Sequence, residues 1–111
     1  MRVLFDQGTP VPLRRLLVAH EVETAFERGW GTLQNGTLLQ AAEAAGFAAV
    51  VTTDQNLRYQ QDLTGRKLAI LVLLTTDWRL IRQYPDHVVR AVGALAPGAY
   101  CELPFPPMEA L

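Results

Sequence analysis

The run Ala48-Ala49-Val50-Val51 passes without interruption into Thr52-Thr53-Asp54-Gln55-Asn56. A short apolar run bounded by polar residues reads as a strand covered on both faces, as in the interior of a parallel sheet. Parallel neighbours cannot be joined by a tight hairpin, so each demands a crossover, usually helical. Polar groups first become tolerable at the carboxyl end of such a strand, where open α/β sheets place their ligand crevice. Val3-Leu4-Phe5 ends the same way, in Asp6-Gln7. If the two strands are parallel neighbours, Asp6 and Asp54 emerge side by side on one rim.

The remaining elements follow in order. Thr9 is placed to cap a helix with Pro10 at its first position, and Leu13, Leu16 and Leu17 form its apolar stripe. Arg14 and Arg15 then lie on its open side. His20 to Ala25 mixes charged and apolar residues, which suits an edge strand. Gly29-Trp30-Gly31 reads as a loop with an aromatic tip. A helix is expected from about Thr37 to Ala45, with Thr37 and Gln40 at capping-box spacing and Asn35 an alternative cap. Leu38, Ala41, Ala42 and Ala45 form its buried face. Leu57 to Leu63 suits one or two helical turns, Lys67 to Leu74 another buried strand, and Asp77 a helix cap. Pro85 opens a helix that buries Val88, Val89, Val92 and Leu95. Ala99 to Leu103 is the last strand. The alternation predicts an α/β/α sandwich of three layers around a mostly parallel sheet with right-handed crossovers. One domain over 1–103 is expected, followed by an extended, poorly ordered proline-rich tail over 104–111.

Composition narrows the chemistry. The chain has 111 residues, half of them hydrophobic, with a formal charge of −1. That supports one core and gives no global basic field to gather nucleic acid, so any such binding needs a local patch. A single cysteine, Cys101, excludes an internal disulfide and suits a reducing compartment. It reads as a small apolar strand residue. The longest apolar run is too short to span a bilayer, so a soluble, cytoplasmic protein is expected. His20 and His87 are isolated and read as surface residues.

Asp6, Asp54 and Asn56 are the sharpest candidates. Two carboxylates converging on one rim repel each other unless a cation lies between them. Mg²⁺ or Mn²⁺ requires oxygen ligands and keeps several waters, so two or three protein oxygens suffice. The competing reading is that each Asp simply caps the helix after it. Glu43 lies roughly 150° from the buried face of its helix at about 100° per residue and is expected to face solvent. Asn35 and Thr37 are better placed to approach the rim. Arg58, Arg66 and Lys67 are candidates for meeting phosphates. Trp30 either stacks on a base or anchors its own loop, and anchoring is the commoner role. Asp77 is expected to cap.

Several segments together resemble a family of short bacterial PIN-like proteins. They are Val3-Leu-Phe-Asp6-Gln-Gly-Thr-Pro, Arg28-Gly-Trp with Leu33-Gln-Asn35-Gly, Thr52-Thr-Asp54-Gln-Asn56-Leu, Tyr59-Gln-Gln-Asp-Leu, the Leu68–Leu74 run and Trp78. The resemblance covers nearly the whole chain and implies a Rossmann-like PIN fold. It also implies kinship with the ribonucleases of toxin–antitoxin pairs, which cleave RNA with Mg²⁺ or Mn²⁺ held by acids. Asp6 and Asp54 match two of those acids, and Asn56 stands where many relatives carry another. The family pattern Asn-Gly-Glu is broken here, because Asn35-Gly36 is followed by Thr37. The expected partners are an RNA substrate, a cognate antitoxin and a second copy in a homodimer.

Three functions therefore compete at this point. The first is a metal-dependent endoribonuclease with Asp6, Asp54 and Asn56 at its centre. The second is a PIN-like interaction module without turnover, which the Thr37 departure favours. The third is a receiver-like phospho-acceptor, which lacks the paired acids after the first strand.

Overall fold

A computed structural model describes residues 1–60 and 62–108, with the side chains of all of these except Asn35 and Gln60. Five strands form one sheet: β1 (Arg2–Phe5), β2 (Glu21–Thr24), β3 (Ala49–Thr52), β4 (Ala69–Leu73) and β5 (Tyr100–Leu103). All four pairings are parallel, in the order β2-β1-β3-β4-β5. The sheet is thus wholly parallel, where the sequence predicted mostly parallel. Four α-helices lie between the strands: α1 (Asn35–Ala44), α2 (Leu57–Gln60), α3 (Trp78–Ile81) and α4 (Pro85–Gly93).

Strand composition matches strand position. Every residue of β3 and β4 is buried, while β2, with two glutamates among its four residues, is one of the two edges. The alternation of side chains along each strand sends apolar residues to both faces. Val3, Phe5, Val51 and Leu71 join Leu13, Ile81, Val88 and Val92 in one buried cluster. Leu4, Val50, Ile70 and Val72 join Leu38, Leu39, Ala42 and Leu57 in another. Helical residues therefore cover both faces of the sheet.

Several expectations are corrected. The segment after Pro10 is a 3₁₀ helix, Val11–Leu16, and Thr9 does not cap it. The Thr9 hydroxyl turns inward instead, to the Val51 carbonyl at 2.8 Å. Helix α1 begins at Asn35 with Gln34 as its N-cap residue and no side-chain cap bond, so Thr37 is inside the helix. Val89 of α4 is 40 % exposed while Val88 and Val92 are fully buried, because residues three or four apart share a helical face and Val89 is one residue, about 100°, round from Val88. Of the tail, residues 109–111 lie outside the described residues. Its first half is packed, with Phe105 against the first cluster and edge-to-face with His87 at 5.4 Å. The His87 Nε2–H donates to the Pro104 carbonyl at 2.9 Å, so His87 seats the tail.

The order of strands matters for function. From β1 the chain moves outward to β2, then returns past β1 to β3 and continues to β4 and β5. The direction of winding reverses between β1 and β3, and α/β proteins bind ligands at such a switch point, beyond the carboxyl ends.

Leu71 lies at the centre of β4 with no exposed surface. Leu71→Ala should cost about 2–5 kcal/mol of unfolding free energy, measured by urea denaturation. Val18→Ala, at an 88 % exposed side chain, should stay within about 0.5 kcal/mol.

Candidate active site

The register of β1 on β3 aligns Phe5 with Val51, and the Asp6 amide donates to the Val51 carbonyl at 3.1 Å. Asp6 therefore leaves the sheet beside Thr52, two residues short of Asp54. Both aspartates line one cleft of about 280 Å³, together with Gln7, Gly8, Ala25, Gly31, Leu33, Gln34 and Leu38. The two acids thus stand at the carboxyl ends of adjacent strands.

Asp6 is held from several directions. Its Oδ1 accepts from the Gly8 amide at 3.2 Å and lies 2.9 Å from the Thr9 hydroxyl. Its Oδ2 accepts from the Thr52 hydroxyl. Thr52 Oγ1 in turn accepts the Asp54 amide at 3.0 Å, so one threonine couples the two acidic turns. Gly8 is required by close approach, because a Cβ there would lie 2.4 Å from Thr53 Oγ1. Asp54 Oδ1 accepts the Asn56 amide at 3.0 Å, which curls the turn back over itself.

Burial raises the Asp6 pKa above its ordinary value of 3.8. The Thr52, Thr9 and Gly8 bonds oppose that rise, and the negative charge of Asp54 adds to it. Among the described residues no Lys or Arg lines the cleft, so no basic side chain there offsets the two acids.

The far wall is built by the 25–38 segment. The Trp30 amide donates to the Ala25 carbonyl at 2.8 Å, and its ring meets Phe47 edge-on at 6.2 Å. Arg28 stacks over the Trp30 ring at 4.7 Å. Trp30 thus anchors the loop that presents Gly31, Leu33 and Gln34 to the cleft, and its face is occupied.

Other sequence candidates are placed elsewhere. The Asn56 side chain is exposed and does not line the cleft, so the residue contributes its amide. Thr37 is exposed and outside the lining, while Gln34 and Leu38, one turn apart on α1, are inside it. The Asn35 side chain lies outside what is described. Arg58 pairs with Glu102 at 3.5 Å and stacks on Tyr59 at 4.7 Å.

Arg66 and Lys67 precede β4 and so lie at the amino edge of the parallel sheet, across from the acids. Arg66 forms an ion pair with Glu43. Lys67 shares a separate pocket with Met1 and Glu43. Neither can meet a phosphate bound at Asp6 and Asp54. Glu43, expected to face solvent, is half-buried by this pairing. Asp77 caps α3 by accepting from the Arg79 amide at 2.9 Å.

The donor set suits a hard divalent cation held by few protein oxygens. The two carboxylates are oxygen donors of the right kind, and among the described residues no sulfur or imidazole lines the cleft. The threonine and amide bonds to Asp6 are the supports that orient a ligating carboxylate. Among the described residues, no group of three or more His, Cys, Asp or Glu is placed to hold a metal. Such an ion would keep most of its waters.

In comparisons with protein-family models, curated proteins and solved structures, nothing matches this chain. No helix of the described residues is long and apolar enough to cross a membrane.

The raised pKa of Asp6 has a stability consequence of definite sign. The folded state binds the Asp6 proton more tightly than the unfolded chain, so the favourable contribution is complete below about pH 3.8. It is lost as pH rises through the folded pKa. Asp6→Asn, which carries no charge, should therefore raise the thermal midpoint relative to the native protein at neutral pH. The gain should vanish in acid. Thermal melts from pH 3 to pH 8 check this, and a gain independent of pH would contradict it.

Proposed function

We propose that the chain is a metal-dependent endoribonuclease with a PIN-like fold, acting as the toxin half of a toxin–antitoxin pair. The observation that carries this reading is the convergence of Asp6 and Asp54, uncompensated by any basic residue, on a cleft at the β1–β3 switch point. Asp6 and Asp54 would hold Mg²⁺ or Mn²⁺, and the bound ion would supply Lewis-acid stabilisation of a phosphodiester and an activated water. Thr9, Thr52 and the Gly8 amide fix the Asp6 carboxylate, which preserves the spacing of the pair. Leu33 offers one half-buried apolar side chain to the flat face of a base, with Ala25 and Leu38 buried behind it. The resemblance described above supports RNA as substrate, an antitoxin as partner and a homodimer as assembly.

One observation favours a second reading, an interaction module without turnover. The cleft contains two carboxylates where the related nucleases resembled by this chain bring more. The position that would supply a third is Gln34, the N-cap residue of α1, since Thr37 lies outside the lining.

Calorimetric titration with Mn²⁺ and cleavage of labelled single-stranded RNA separate the readings. The native protein should bind Mn²⁺ weakly and cut the strand, and Asp6→Ala and Asp54→Asn should lose both. Gln34→Glu should tighten Mn²⁺ binding and speed cleavage. Thr37→Glu should add only about 0.3–1 kcal/mol of stability from the helix N-terminus, with unchanged metal affinity. Mn²⁺ binding without RNA cleavage, even in Gln34→Glu, would favour the interaction module.

A further inference from the structure

Gln7 extends from the end of β1 into the cleft beside the acids, toward the loop held by Trp30. A Cβ built on Gly31 would lie 2.4 Å from Gln7 Nε2. Gly31 is therefore the residue that leaves room for this carboxamide. Its backbone does not have a positive φ, so steric room, and not conformation, is what glycine provides there. Gln34, the uncapped N-cap residue of α1, lines the same cleft. Neither carboxamide makes a side-chain hydrogen bond within the described residues, while the adjacent Asp6 is fully engaged.

A carboxamide presents an N–H donor and a carbonyl acceptor side by side at fixed spacing, which matches the edge of a nucleobase. It has no charge with which to attract a phosphate, and the two acids beside it repel one. Leu33, half-buried in the same cleft, offers an apolar side chain to the face of a planar ring, with Ala25 and Leu38 buried behind it. Single-stranded nucleic acid is read in this way, by splayed bases hydrogen-bonded at their edges.

We infer that Gln7, given its place by Gly31, is the residue that selects which base enters the cleft. The inference rests on the ribonuclease reading and adds to it a specificity determinant distinct from the acids. Gln34 supplies a second base-edge contact from the helix.

The structure offers two independent ways to remove the Gln7 contact. Gln7→Ala deletes the carboxamide. Gly31→Ala displaces it while leaving it in the chain, and only the flexible end of one side chain has to move. The experiment is equilibrium binding of labelled oligo-A, oligo-C, oligo-G and oligo-U, with Ca²⁺ in place of Mn²⁺ so that the strands survive. Mn²⁺ affinity is measured in parallel.

The native protein should prefer one oligonucleotide over the weakest by about tenfold or more, the scale of one good base-edge pair. Gln7→Ala and Gly31→Ala should each flatten that preference, and the double variant should go no further than either single one. Mn²⁺ affinity should remain native in all three. A preference that survives Gln7→Ala, or a native protein that binds all four strands equally, overturns the inference and leaves the metal site standing. A native protein that binds neither Mn²⁺ nor any strand overturns the ribonuclease reading, and the inference with it.

Discussion

The parallel pairing of β1 with β3 is the constraint on which the rest depends. It aligns Phe5 with Val51, brings Asp6 beside Thr52, and leaves the Val51 carbonyl to accept from both the Asp6 amide and the Thr9 hydroxyl. Two acidic turns separated by more than forty residues of chain are thereby fixed to each other through backbone and short side chains. Such side chains have little rotamer freedom to lose, so positioning the acids costs little entropy. A shift of register by one residue would send every side chain of β1 to the opposite face. It would bury Asp6 under the core or remove it from Asp54. The apolar residues of β1 and β3, packed into clusters on both faces, guard that register.

The same arrangement carries an electrostatic cost. Burial disfavours the Asp6 charge, the hydroxyl and amide donors recover part of that loss, and Asp54 adds repulsion. Five of the ten basic residues form ion pairs away from the cleft. Arg14 pairs with Glu27, Arg58 with Glu102, Arg66 with Glu43, and Arg2 and Arg28 with Glu23. The acids of the cleft are left without an arginine of their own. Groups held with their charge disfavoured cluster at functional sites because a ligand can supply what the protein withholds. On the proposed reading, a divalent cation would be that ligand for the two carboxylates.

The sequence was informative about elements and less so about which elements meet. Buried strands, the polar edge strand and the Asp77 cap follow from local pattern alone. The site does not, and Thr-Thr-Asp illustrates why, because it ends both β3 and β4. Thr52 Oγ1 accepts the Asp54 amide and Asp54 the Asn56 amide. Thr75 Oγ1 accepts the Asp77 amide at 3.1 Å and Asp77 the Arg79 amide. The two turns are locally alike, and only the neighbouring strand separates them. Asp54 has β1 beside it, with Asp6 bonded to Thr52, whereas Asp77 follows β4, between β3 and β5, and lies three residues beyond the level of Asp54 in the β3–β4 register. Arg66 and Lys67 were misplaced for a related reason. They are close to Asp54 in sequence, but a crossover returns the chain to the opposite edge of a parallel sheet. Gln7 and Gln34 were missed because a carboxamide has no pattern of its own. The available signals were adjacency to Asp6 and the one-turn spacing of Gln34 from the core residue Leu38.

The central claim is that Asp6 and Asp54 form one cation site at the carboxyl edge of the sheet. Paramagnetic broadening of backbone amide signals by substoichiometric Mn²⁺ tests it most directly, because the effect falls steeply with distance from the ion. The account predicts that amides around Asp6, Gly8, Asp54 and Asn56 broaden first, while those of Lys67 and Gly98, at the opposite edge, stay sharp. Broadening centred on Glu43, or on any acid pair away from the β1–β3 edge, would contradict it.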